Sequence, residues 1–174
     1  MNGTFYDQAA RGLPNFPREV MKRWFEHVES AGWPPPFDAN GFAIGAWRER
    51  VFRDRFLGFW QGTSWALEHH PLTLVTIEPE TRDIVNALAG AFAIGLPHPI
   101  DISIADASQR IGGFVAALVG TGRLPVPPIL LATTRGFEVL DGFHRLAALA
   151  YARAASLRVD HIHDAWVARH PSAA

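Results

Sequence analysis

The residues best suited to chemistry form one short run, Asp141-Gly142-Phe143-His144-Arg145, with Glu138 three positions upstream and Arg110 on a preceding helical stretch. Phe137 and Val139 read as a strand, and Leu146, Leu149 and Ala150 recur at helical spacing in a run of good helix formers. Asp141-Gly142 is the turn between them. This places His144 and Arg145 in a first helical turn, where backbone N–H groups point outward and the helix dipole is positive. A cation there is disfavoured unless an anion sits at the helix tip, where N–H groups and the Arg145 guanidinium fork converge on it. Asp141 is an alternative occupant of that role, as an ordinary N-cap.

The carboxylates suggest what would follow anion binding. Asp141 and Glu138 are placed to hold Mg²⁺ or to position a water for attack on phosphorus, since phosphoryl transfer needs alignment and charge neutralisation above all. For Glu138 the competing reading is a solvent-facing strand position opposite Phe137 and Val139. His161-x-His163-Asp164 offers two histidines that would share a strand face, but no third ligand is evident and no metal ligand set is assigned. His69-His70 reads as a surface pair in a loop. With no cysteine in the chain, thiolate nucleophiles, thiolate metal sites and disulfides are excluded.

The segment resembles the ParB/sulfiredoxin superfamily, whose hallmark is a strand–turn–helix carrying Gly-x-His-Arg or a close variant, here Gly142-Phe143-His144-Arg145 preceded by Asp141. Pro127-Pro128-Ile129-Leu130-Leu131 is similar to the family's preceding strand. Ile102-Ser103-Ile104 with the helix 106–119 is similar to its opening strand and helix. The resemblance covers roughly residues 100–169. It implies a site for ATP or another nucleoside triphosphate, with Mg²⁺ as a compatible ion. Gly142, Phe143, His144, Arg145 and Arg110 would bind the nucleotide, and Asp141, Glu138 and His144 would act in catalysis. Phe143 stands where sulfiredoxins carry their cysteine, so sulfiredoxin chemistry is excluded. An NTP hydrolase or phosphotransferase is expected, with nuclease or plasmid-related DNA activity as an extension. A free amino-acid kinase and a non-catalytic partner-binding regulator are the alternatives. No helix-turn-helix follows the motif before Ala174, so centromere-specific binding is not expected.

The elements that must position this run follow from the rest of the chain. The 174 residues are 48% apolar and 19% charged, which suits a folded core. The net charge of −1 provides no general attraction to nucleic acid or anionic lipid. No secretory h-region or run of about 18 apolar residues is present, and a cytoplasmic protein without a membrane partner is expected. Lys22 is the only lysine, which leaves little material for a P-loop or Schiff base.

Helices are expected at 18–31, 44–60, 81–92 and 106–119, and strands at 72–77, 101–104, 129–132 and in a closing extended segment, 159–168. Residues 61–71 read as a loop, and Asp106 as the cap of its helix. The fold class is α+β, a small mixed sheet with packed helices. A helical, aromatic-rich N-terminal extension spans 1–97, and the ParB/sulfiredoxin-like domain spans 98–174. Five of the six tryptophans fall before residue 70, a cluster better suited to a core than to base stacking. Arg48, Arg50, Arg53 and Arg55 form the densest basic area, either a DNA contact face or a solvated helix laced by short-range ion pairs.

Overall fold

The computed structural model describes residues 4–95 and 104–173. It is an α+β fold of helices with a four-stranded sheet, and the chain divides into two compact units, Met1–Ala66 with Ala168–Ala174, and Leu67–Val167. The helices are α1 (Phe5–Gly12), α2 (Arg18–Trp24), α3 (Leu57–Gln61), α4 (Pro79–Ile94), α5 (Ile104–Thr121) and α6 (Phe143–Ala154). The strands are β1 (Ser64–His70), β2 (Ile129–Thr133), β3 (Gly136–Asp141) and β4 (His163–Arg169), in the order β1-β4-β2-β3.

In the first unit, aromatic side chains make the core, as expected. Trp24, Trp47, Trp60, Phe25 and Phe52 are fully buried and meet at edge-to-face or tilted angles. Two of the three indoles have acceptors: that of Trp47 donates to Gly32 O at 3.1 Å and that of Trp24 to Arg50 O at 3.1 Å, while Trp60 Nε1 is buried without one among the described residues. The second of these bonds helps explain a departure from expectation. Residues 44–60 do not form one helix. A π-helical turn, Trp47–Phe52, ends at Arg53, whose φ of 55° is left-handed, and α3 starts only at Leu57. The Arg50 carbonyl, which a continuing helix would use, instead accepts from Trp24. Arg18–Ala31 is helical throughout but tightens to a 3₁₀ turn from Phe25.

The second unit packs α4 and α5 against α6. Its core includes Val85, Leu88, Ile111, Leu118, Leu130, Val139, Leu146 and Leu149. Pro79 opens α4 at a position where a missing N–H costs nothing, and Gly95 closes it in the left-handed conformation. The expected helix at 106–119 starts earlier, at Ile104, so Asp106 lies in its first turn and is not the cap. The expected strand at 101–104 falls outside the described residues apart from Ile104, which is helical.

Two assignments exchange places. The expected loop at 61–71 holds edge strand β1, and the expected strand at 72–77 is a 3₁₀ turn at Leu74–Thr76. Thr73 and Thr76 cap that turn reciprocally, while Leu72 and Ile77 remain in the core. The expected strand at 72–77 is thus corrected: only its two apolar ends are buried, and Val75 between them is exposed.

Candidate functional site

The motif region is built by β2, β3 and the start of α6. β2 and β3 are antiparallel, with Thr133 opposite Gly136, Leu131 opposite Glu138 and Leu130 opposite Val139. The register then slips by one residue, because Ile129 pairs with Asp141 and Leu140 is extra. Such a one-residue bulge reverses the alternation beyond it. Glu138 and Asp141, three apart and otherwise on opposite faces, thus share the face of Leu131 and Ile129. Their partners are two residues apart, about 7 Å along the strand. The bulge brings the two candidate carboxylates onto one side of the sheet.

That face is not open at Glu138. Alternation holds, since Phe137 and Val139 pack in the helical core on the other side, but Glu138 is itself only 8% exposed. The solvent-facing reading of Glu138 is therefore corrected. Nearby, Glu78 is buried and accepts from the Thr133 hydroxyl, with Arg135 Nε 3.6 Å away. The Val139 N–H donates to Thr81 Oγ1 at 3.3 Å.

At the other end of β3, Gly142 is the N-cap of α6, with φ 105° and no side-chain capping hydrogen bond. Asp141 is thus not the cap. Its carboxylate instead accepts from Arg145 Nη2 one helical turn on, while Arg145 Nη1 donates to Pro127 O at 3.3 Å. The guanidinium lies back across the start of the helix, and Arg145 as a residue is 8% exposed. Gly142 is buried under it. A Cβ there would stand 2.9 Å from Pro128 Cβ and 3.0 Å from Arg145 Nε. Pro127 and Pro128, expected on the preceding strand, lie just before β2 and border this turn. One supplies an acceptor to Arg145 and the other roofs Gly142.

The remaining candidates are dispersed. Phe143 is half-buried against the helical core, and His144 is half-buried in the first turn of α6. Arg110 is exposed on α5, the helix packed on α6, and forms no hydrogen bond or ion pair among the described residues. Asp141, Gly142 and Arg145 form one contact set, which Arg110 does not join.

The histidine pair fails as a metal site. His163 is buried on β4, where its Nδ1 accepts from the Leu124 N–H at 3.3 Å and its Nε2 donates to Asp160 O at 2.9 Å. Both nitrogens are occupied, and His161 is exposed outside the strand. Burial is the main reason the His163 pKa lies below the ordinary histidine value. Among the described residues no group of three or more His, Asp or Glu side chains is arranged to hold a metal ion. His69 is not a lone loop histidine either, for its Nδ1 lies 2.5 Å from Asp164 Oδ1 across the sheet.

The four arginines of the first unit do not share one helical face, because the helix breaks at Arg53. Arg48 pairs with Asp54 at 2.9 Å and stacks over Phe42, while Arg55 lies over Phe59 and Trp60. Among the described residues no helix is long and apolar enough to cross a membrane. Compared with known protein families, curated proteins and solved structures, the chain finds no match. A functional reading therefore rests on the motif and its geometry.

Proposed function

We propose that the turn Asp141–Arg145 binds the phosphates of a nucleoside triphosphate, ATP foremost, in a ParB/sulfiredoxin-like setting, and that the protein hydrolyses the nucleotide or transfers its phosphate. One observation carries this reading. A 12-residue helix starts without a side-chain cap while an arginine in its first turn already holds an oxyanion, the Asp141 carboxylate, at the tip. A phosphate oxygen is the same kind of group, and the helix start adds N–H donors and a positive dipole.

In this reading Gly142 allows close backbone approach and Arg145 turns from Asp141 to the phosphate. His144 and Phe143 flank the nucleotide, and Arg110 reaches it from α5. Asp141, released, and Glu138 on the same sheet face position a water or Mg²⁺, which needs only one or two carboxylates beside the phosphates. A nuclease or other DNA-directed activity through Arg48, Arg50, Arg53 and Arg55 is the extension of this proposal, and the cytoplasm its setting.

The test is thermal stability of the full chain with ATP, CTP, GTP or ADP, each with and without Mg²⁺. At a hundredfold excess over Kd, binding contributes about 2.7 kcal/mol, a rise of roughly 5–10 °C for a chain of this size. A shift with one nucleotide identifies it. No shift with any nucleotide overturns the reading, including its free amino-acid kinase version. A partner-binding regulator is then the better reading, favoured by the exposure of Phe37, Ile44 and Phe56 in the first unit.

A further inference from the structure

A cleft lies along α6, within the second unit and apart from the helix tip. Its volume is about 390 Å³, and its walls include Leu72, Leu74, Ile77, Leu146 and Leu149. That volume is within the range of small-molecule sites. Arg153 is the only charged side chain among its described lining residues.

The environment of Arg153 is unusual for a partly buried cation. Nη1 donates to Leu72 O, and Nη2 to Asp160 O at 3.4 Å and His161 O at 3.3 Å. All three acceptors are neutral carbonyls. No carboxylate pairs with Arg153 among the described residues, and the adjacent Asp160 carboxylate is taken by Arg123 at 2.8 Å. Of the five N–H donors of a guanidinium, Nε–H has no acceptor among the described residues. Burial holds the Arg153 pKa below the ordinary arginine value.

An apolar cleft whose one charged lining side chain, among the described residues, is a guanidinium without a carboxylate partner matches one ligand chemistry. We infer that the cleft binds an apolar monocarboxylate, a medium-chain fatty acid, with its chain along Leu72, Ile77, Leu146 and Leu149 and its carboxylate on Arg153. The chain leaves water for an apolar wall, and the carboxylate supplies the counter-ion that the protein does not. A polyphosphate would need several cations, and these walls carry one. The inference is therefore independent of the nucleotide proposal.

The test is calorimetric titration of the full chain with decanoate, decanol and acetate. Decanoate is expected to bind saturably at one site, decanol at least roughly tenfold more weakly, and acetate not measurably. Ala150→Phe, which fills the cleft from α6, should abolish decanoate binding. Arg153→Gln should bring decanoate and decanol to nearly equal affinity. If loss of the carbonyl contacts unfolds that variant, the decanoate–decanol comparison and Ala150→Phe still decide. No saturable decanoate binding, equal affinity for the alcohol in the wild type, or undiminished binding by folded Ala150→Phe would each overturn the inference.

Discussion

Gly142→Ala is the substitution with the clearest cost. At φ 105° an L-residue is disfavoured by about 1–2 kcal/mol. The added Cβ would also stand 2.9 Å from Pro128 Cβ and 3.1 Å from Pro128 Cα, ring and backbone atoms that no rotamer change can move aside. Overpacking of this kind adds about 1–3 kcal/mol. The total, about 2–5 kcal/mol, lowers Tm by roughly 4–20 °C. Gly113→Ala is the matched control. Gly113 lies exposed within α5 with nothing near its would-be Cβ, so alanine there should stabilise by about 0.5–1 kcal/mol. Thermal and urea denaturation followed by circular dichroism would read both. A Gly142→Ala protein within about 0.5 kcal/mol of wild type would refute the geometry assigned to the motif turn.

Three further outcomes are expected. Trp47→Ala, at a fully buried indole bonded to Gly32 O, should cost about 3–5 kcal/mol in urea denaturation, and an effect under about 1 kcal/mol would deny the aromatic core. Arg145→Ala should cost about 3 kcal/mol because it strands the Asp141 carboxylate; adding Asp141→Asn should recover more than about 1 kcal/mol, and strict additivity would show that the pair is not coupled. His163 gives a pH dependence whose sign follows from its lowered pKa. The unfolded chain takes up the proton first as pH falls, so the contribution is complete above about pH 6.5 and is lost below it, down to the folded pKa. Denaturation at pH 7.5 and 5.5 should show lower stability at 5.5, with a smaller difference in His163→Gln. An unchanged difference in that variant would assign the effect elsewhere.

The strand–turn–helix at 136–154 was legible because three local signals agree there: alternation at Phe137 and Val139, the Asp-Gly turn, and an alanine- and leucine-rich helix. What escaped depends on distant partners. Nothing near Arg50 announces that Trp24, 26 residues away, takes its carbonyl and helps break the expected 44–60 helix. β1 carries Glu68-His69-His70, a polar run that reads as loop, yet His69 is fixed across the sheet by Asp164. Glu138 alternates as expected, but it is buried, and the alternation of the strand does not encode that. The extra residue at Leu140 has no local signature, although it decides that Glu138 and Asp141 share a face.

The central claim is that Asp141 occupies, within the protein, the place of a nucleotide phosphate on Arg145. Calorimetric ATP affinity of Asp141→Asn against wild type, without Mg²⁺, addresses it most directly. Removing the internal anion should tighten ATP binding by roughly threefold or more, since the guanidinium no longer has to leave a charged partner. Binding by wild type that is equal or weaker in a folded Asp141→Asn protein, or no binding by either, would contradict the claim.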